Sequence, residues 1–184
     1  VYKQKLINKI IDKSKISDTS INTIKRTKHK ILNNYPLITN AKLYNKTYNI
    51  ELNCDIIIKN HLLKKIFPEI HNYPLHLIHQ EQYILINLSY SSVHFKIDLQ
   101  DIQNDNLILY KKCNLYLCSL AMKEIINKTP QCFIIGKEYY YRKNLLSKNN
   151  FIGCIIINDT VKHKIKDSIK WINKLRREYK NMKT

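Results

Sequence analysis

Glycine and proline are scarce in this chain, which contains 2 glycines and 4 prolines among 184 residues. Because these two residues mark turns and irregular loops, their scarcity predicts a fold dominated by helices and strands. No apolar run reaches the ~18 residues that a membrane span needs, so we predict no membrane partner. Acidic residues are also few, since 14 Asp and Glu stand against 32 Lys and Arg.

The formal net charge of +18 is the dominant feature of the composition. Such an excess destabilises a compact fold by self-repulsion unless a polyanion relieves it. Nucleic acid, and DNA above all, is therefore the expected partner, ahead of an anionic membrane surface. A compositional bias toward lysine without functional meaning is the alternative, and a protein partner or a homo-oligomer is also left open.

The five cysteines form no CxxC or CxxH pair, which argues against a zinc site. Two of them fall in a helical pattern and three in strand-like runs: Cys113 and Cys118, then Cys54, Cys132 and Cys154. We therefore expect reduced, buried thiols in an intracellular protein.

Hydrophobic periodicity predicts an α/β fold with a mixed central β-sheet flanked by helices, formed as a single domain by residues 1–184. The predicted helices are 3–14, 18–34, 61–67, 101–128 and 159–180, and the predicted strands are 37–44, 49–58, 83–88, 93–97, 131–136 and 151–157. A turn is predicted between the first two strands, around residues 44–49.

The same patterns predict the helix caps and the buried faces of the helices. Ser17 or Asp18 is expected to cap the second helix, and Asp159 or Thr160 the last one. The inward faces of three helices are predicted as Ile21, Ile24, Ile31 and Leu32; Leu107, Tyr110, Leu117, Leu120, Ala121 and Ile125; and Val161, Ile165, Ile169, Ile172 and Leu175.

Asp55 is the strongest candidate for a functional carboxylate. It lies within CDIII, an otherwise apolar run of a predicted strand. A carboxylate buried there without a partner costs several kcal/mol or becomes neutral. A metal, a lysine or another cation should therefore lie beside it, unless Asp55 faces solvent at the end of its strand.

The stretch YILINLSYSS, residues 83–92, places Asn87 and Ser89 on one face of a strand, because side chains two apart point the same way. An acid and a lysine at this spacing, facing an Asp on the neighbouring strand, would bind Mg²⁺ and stabilise developing charge during phosphodiester hydrolysis. Asn87 can offer one neutral oxygen, whereas Ser89 cannot replace a lysine charge.

Four stretches in order carry a family resemblance: LYNKTYNIELNCDIIIKNHLLKKIF, YILINLSYSSVHFK, YKKCNLYLCSLAMKEI and TPQCFIIGK. Over residues 43–137 the chain resembles PD-(D/E)XK nucleases of the lambda-exonuclease-like, viral recombinase type encoded by large DNA viruses. The resemblance implies a restriction-endonuclease-like core, a role in DNA recombination, and a place in the host cytoplasm, a viral factory or the virion.

The resemblance also implies roles for single positions. Asp55 matches the first metal-binding acid, Asn87 stands in the place of the second acid, and Ser89 in that of the lysine. Asn114 falls where the family's helix presents Gln, and Gly136-Lys137 matches a Gly-Arg pair. These departures predict a degraded site with little or no cleavage, which would use Mg²⁺ if any activity remains.

Two alternatives stay open at this point. An active Mg²⁺-dependent exonuclease or endonuclease would need Asp55 together with a migrated acid, for which Glu81, Asp98 and Asp101 are candidates. A structural or interaction protein would need no site at all. Three histidines, His71, His76 and His79, are better explained as a polar surface loop than as a metal site.

Residues 137–143 interleave cations with aromatic rings, in the sequence KEYYYRK. Lys137, Tyr140, Arg142 and Lys143 are therefore candidates for contacting phosphates and stacking on unpaired bases. A β-edge of packed tyrosines is the alternative of equal weight. Arg176 and Arg177 in the last helix are candidates for phosphate contact, or for a solvated face.

Overall fold

The computed structural model describes residues 2–16, 22–67, 82–96, 101–148 and 152–182. These residues form five helices: α1 (Tyr2–Ser14), α2 (Ile24–Leu32), α3 (Asn60–Ile66), α4 (Asn106–Ile126) and α5 (Asp159–Asn181). They also form eight strands: β1 (Leu37–Asn45), β2 (Ile50–Lys59), β3 (Tyr83–Leu88), β4 (Val93–Phe95), β5 (Gln131–Ile135), β6 (Glu138–Tyr141), β7 (Asn144–Lys148) and β8 (Gly153–Cys154).

The main sheet has five strands in the order β1-β2-β3-β5-β8. Strands β1, β2 and β3 pair antiparallel, β3 and β5 pair parallel, and β5 and β8 pair antiparallel. A parallel neighbour needs a crossover connection, and α4 lies in the segment between β3 and β5. The predicted mixed central sheet flanked by helices is confirmed.

Each face of this sheet has its own hydrophobic core. On one face, α4 contributes Leu115, Cys118 and Met122, which share a cluster with Ile57 of β2 and Leu85 of β3. On the other face, α1 and α3 pack through Ile7, Ile10, Leu63 and Ile66 against a second set of strand residues. Because both faces are covered, β3 is buried along its whole length.

A second sheet of three strands, β4-β6-β7, holds most of the tyrosine-rich segment. Tyr139 is fully buried, stacks on Phe95 and donates its hydroxyl proton to the carbonyl of Ile134 at 2.9 Å. The same hydroxyl accepts the Gly136 N–H at 2.8 Å, and a Cβ at Gly136 would overlap the side chain of Val93. Glycine is thus required where the two sheets meet.

The predicted helix caps are wrong where the structure describes them. Thr23, not Ser17 or Asp18, caps α2 by accepting the N–H of Arg26; residues 17–21 lie outside the described residues. Asn158, not Asp159 or Thr160, caps α5 by accepting the N–H of Val161. Several neighbouring residues could act as caps, and the hydrogen-bond geometry decides among them.

The predicted inward faces are only partly right. Leu107 and Tyr110 of α4 are exposed, because the buried face is offset and is formed by Ile108, Leu115, Cys118, Ala121 and Met122. Leu32 of α2, whose predicted neighbour Ile21 lies outside the described residues, is also exposed. On α5, Val161 and Ile165 are buried, whereas Leu175 is exposed and Trp171 is 62% exposed.

All five cysteines are free thiols, and four are buried. Burial raises the pKa of the Cys154 thiol to about 12. None of the helices in the described part of the chain combines the length and the apolar character required of a membrane span.

Candidate functional site

Strands β2 and β3 bring Asp55 and Asn87 together. Their antiparallel register pairs Ile56 with Ile86, so Asp55 and Asn87 are the next residues along the two strands. The backbone N–H of Asp55 donates to Asn87 Oδ1 at 3.3 Å, and both residues are buried. Of the three positions expected to converge, Asp55 and Asn87 lie side by side at the end of the β2–β3 ladder, whereas the Ser89 hydroxyl bonds Ser91.

The inward and outward alternation of β2 changes at Asp55. Cys54 and Ile57 both belong to the core under α4, although they are three residues apart, whereas Ile56 belongs to the opposite core. On β1, Asn40 lies opposite this point with a φ of 48°. Asparagine tolerates this left-handed conformation better than most residues. The local distortion therefore accompanies the polar side chain at the start of the apolar run of residues 56–58.

Both carboxylate oxygens of Asp55 are bound by other groups of the protein. Oδ2 accepts the backbone N–H of Leu88 at 2.7 Å. Oδ1 lies 2.5 Å from Lys3 Nζ, which α1 carries to the site; the Lys3 side chain is 52% exposed and the Asp55 side chain 12%. The cation that sequence reasoning expected beside Asp55 is therefore a lysine of this chain.

A second lysine approaches the same point from α4. Lys111 Nζ donates to the carbonyl of Leu88 at 2.7 Å. Leu88 therefore links the two side chains, because its N–H donates to Asp55 and its C=O accepts from Lys111. Burial lowers the pKa of Lys111; the charge of Asp55 opposes this effect, and that of Lys3 adds to it. Lys3 thus contacts the Asp55 carboxylate directly, and Lys111 interacts with it through its charge.

The other residues matched by the resemblance make structural contacts. Ser89 is fully buried; its hydroxyl bonds the Ser91 hydroxyl at 2.8 Å, and its N–H donates to the carbonyl of Ile135 at 2.7 Å. Asn114 of α4 donates its side-chain amide to the carbonyl of Asn53 at 2.8 Å, two residues before Asp55. Asn114 therefore helps to fix α4 over β2.

The aromatic and basic segment combines a packed part with an exposed part. Tyr140 stacks on His94 with ring centroids 5.1 Å apart and donates its hydroxyl proton to Glu138. Lys137, Arg142 and Lys143 are exposed, with the Arg142 guanidinium 5.3 Å from the Tyr141 ring centroid. Because Tyr139 lies in the core, β6 is a strand of packed tyrosines. The three cations next to it remain at the surface, where a phosphate could reach them.

The two arginines of α5 differ in their contacts. Arg176 donates to the carbonyls of Tyr48 and Asn49 at 3.0 and 2.6 Å, which fastens α5 to the β1–β2 turn. Arg177 is exposed, and its Nε donates to the carbonyl of Asn173 in the same helix at 3.3 Å. Arg177 is therefore the better placed of the two for an external phosphate.

Asp101, one of the three candidate migrated acids, is part of a buried ion network. Its Oδ1 lies 2.9 Å from Lys112 Nζ and accepts the N–H of Ile156 at 3.0 Å, while its Oδ2 lies 2.7 Å from Lys96 Nζ. Burial raises the pKa of Asp101, but the hydrogen bonds from Lys112 and Lys96 outweigh it, so the pKa is lower than usual. Glu81 and Asp98 lie outside the described residues.

The donor set around Asp55 does not fit Mg²⁺. This ion demands near-octahedral oxygen coordination, whereas both Asp55 oxygens already accept protons from Lys3 and Leu88. Asn87 Oδ1, the neutral oxygen that could assist, accepts the Asp55 N–H. Across the described residues, no group of three or more His, Cys, Asp or Glu is placed to hold a metal ion. His71, His76 and His79 fall outside them.

Sequence reasoning missed Lys3 and Lys111. The chain has 32 Lys and Arg, so no lysine stands out by composition. The available signal was Ser89, which stands in the place of a lysine. Its presence indicates that a lysine from another element could approach the end of β3. Lys111 lies in the stretch YKKCNLYLCSLAMKEI, one helical turn before Asn114.

Comparison of the sequence with models of protein families gives no match, and comparison with curated proteins gives no match either.

Proposed function

We propose that this protein is a DNA-binding domain of PD-(D/E)XK nuclease type whose site does not cleave. One observation carries the proposal: β2 and β3 place Asp55 beside Asn87, and the carboxylate oxygens of Asp55 accept protons from Lys3 and Leu88 instead of facing open space. The net charge of +18 supports a polyanionic partner.

The chemistry of hydrolysis explains why such a site would be inactive. Mg²⁺-dependent cleavage needs carboxylates that hold the metal and a lysine that stabilises the developing charge. Here Asn87 stands in the place of the second acid. Ser89 stands in the place of the lysine and is buried, with its hydroxyl bonded to that of Ser91. Losing one preorganised charge stabiliser costs about 10²–10³ in rate, and losing a metal ligand adds to that cost.

The cleavage test uses linear and plasmid DNA with Mg²⁺ or Mn²⁺. We expect no products above background, because the described part of the chain places no second carboxylate beside Asp55 to hold the metal. Electrophoresis of wild type and Asp55→Ala in parallel checks this. Cleavage by wild type that is lost in Asp55→Ala would overturn the proposal in favour of an active nuclease.

The binding test follows DNA affinity as a function of salt. A DNA-binding domain should lose affinity with a log–log slope of about −0.9 per phosphate contacted. Fluorescence anisotropy with labelled duplex and single-stranded DNA between ~50 and 200 mM salt measures the slope. Absence of binding at the lowest salt would instead favour a structural or interaction protein whose charge is compositional.

A further inference from the structure

The structure assigns a metal-independent phosphate-binding point to Lys3 and Lys111, the two lysines that approach Asp55 and its neighbour Leu88. This inference rests on the proposed function and names the part of the site that DNA would contact. Two contacts carry it: Lys3 Nζ lies 2.5 Å from Asp55 Oδ1, and Lys111 Nζ lies 2.7 Å from the Leu88 carbonyl.

The balance of charge at this point favours an anion. Lys3 and Lys111 carry two positive charges against the single negative charge of Asp55, so one positive charge remains locally uncompensated. Lys111 is held by a neutral carbonyl rather than by a carboxylate, and the proximity of Lys3 further disfavours its charged form. A phosphate oxygen between the two ammonium groups would relieve this repulsion.

Geometry makes the point accessible and preorganised. The Lys3 side chain is half-exposed, so its ammonium group can move toward a ligand while Asp55 keeps its bond to the Leu88 N–H. The Lys111 ammonium is fixed in place by the Leu88 carbonyl at the end of β3. Charge-assisted bonds from such groups to phosphate oxygens are shorter and stronger than neutral ones.

The residues around the point extend the same surface. Helix α1 also carries the exposed residues Lys5, Lys9 and Lys13, of which Lys13 donates to the carbonyl of Ile66 at 3.2 Å. These cations add to the positive field of the helix that carries Lys3, which favours a polyanion there. We therefore expect the two lysines to neutralise the phosphate charge, as a divalent cation does in a cleaving enzyme. Binding should then need no metal.

The experiment measures DNA affinity of the full chain by fluorescence anisotropy, in EDTA and in Mg²⁺ at equal ionic strength. Lys111→Met should weaken binding about tenfold, as expected for losing a charged hydrogen bond. It should also reduce the magnitude of the salt slope by about 0.9, as expected for losing one phosphate contact. Wild-type affinity should be equal in EDTA and Mg²⁺.

Two further variants keep the result interpretable. Lys3→Gln alters a half-exposed side chain, so it should fold normally and still weaken binding and reduce the slope. Lys123→Gln removes the same charge from an exposed position at the far end of α4 and should change affinity less than about twofold. Circular dichroism confirms folding of each variant.

The outcomes separate this inference from the proposed function. If wild type binds DNA but Lys3→Gln and Lys111→Met keep its affinity and salt slope, the phosphate point is wrong while DNA binding stands. Binding that appears only with Mg²⁺ would likewise overturn the inference. If wild type binds no DNA at ~50 mM salt, both fail together.

Discussion

Replacing Asp101 with alanine is expected to destabilise the fold by about 3–5 kcal/mol, because it leaves a buried ammonium group without its counter-ion. Lys112 is fully buried, and its Nζ lies 2.9 Å from Asp101 Oδ1 and 2.5 Å from the carbonyl of Ile102. Burial lowers the pKa of Lys112, and the carboxylate of Asp101 opposes that effect. Urea denaturation followed by circular dichroism measures the change.

The position of Asp101 in the fold explains the size of this effect. Its carboxylate joins Lys96 beside β4, Lys112 on α4, and the N–H of Ile156 after β8. Three parts of the chain that are distant in sequence therefore lose a common anchor when the carboxylate is removed.

Two controls test the explanation. Asp167→Ala removes an exposed carboxylate from α5 and should change stability by no more than about 0.5 kcal/mol. Asp101→Leu combined with Lys112→Met removes both buried charges and should cost much less than Asp101→Ala alone. Equal losses in the double and single variants would show that packing, not the uncompensated charge, causes the destabilisation.

The ion network around Asp101 also makes the unfolding free energy depend on pH. The pKa of Asp101 in the fold lies below its ordinary value of 3.8, so the charged form stabilises the native state. This contribution is complete above the ordinary value and is lost as pH falls through the lower, folded value. The difference in unfolding free energy between wild type and Asp101→Ala should therefore shrink at the acid end of a pH series.

Replacing Asp55 with asparagine is expected to lower stability and raise DNA affinity. The carboxylate accepts charge-assisted hydrogen bonds from Leu88 and Lys3, so its neutralisation should cost about 1.5–3 kcal/mol of unfolding free energy. The loss of the negative charge that interacts with Lys3 and Lys111 should strengthen DNA binding about threefold to tenfold, or roughly 0.7–1.4 kcal/mol. Urea denaturation and anisotropy measure the two effects separately.

Asp12→Asn is the matched control, because it removes the same charge from an exposed position on α1. It should leave stability nearly unchanged and alter affinity less than Asp55→Asn does. A fall in affinity in Asp55→Asn would mean that the carboxylate holds a cation needed for binding, as in a metal-dependent enzyme. The sign of the affinity change thus distinguishes the two kinds of site.

Short-range patterns predicted much of the fold. The apolar run of β3 was predicted with the observed bounds, 83–88, and the turn near residues 44–49 was correctly placed between β1 and β2. The position of Asp55 in the run CDIII predicts a partner for its carboxylate, and Lys3 is that partner. These features depend on neighbours along the chain, which the sequence displays directly.

The errors arose where several choices have similar local energies. Helix α4 is apolar on more than one side, so periodicity alone could not separate the exposed Leu107 and Tyr110 from the buried Ile108 and Leu115. The partners of Asp55 were also beyond local patterns, because Lys3 is 52 residues away along the chain and meets it only after α1 packs onto the sheet. Side-chain pairs across elements require the tertiary structure.

The exposed position of Trp171 decides how these measurements can be read. It is the only tryptophan of the chain, and with 62% of its surface in solvent it already experiences a watery environment in the native state. Its fluorescence should therefore change little on unfolding, which is why backbone dichroism is the better signal in the urea experiments. Quenching of the same indole on addition of DNA would instead place the nucleic acid against α5, far along the chain from Lys3.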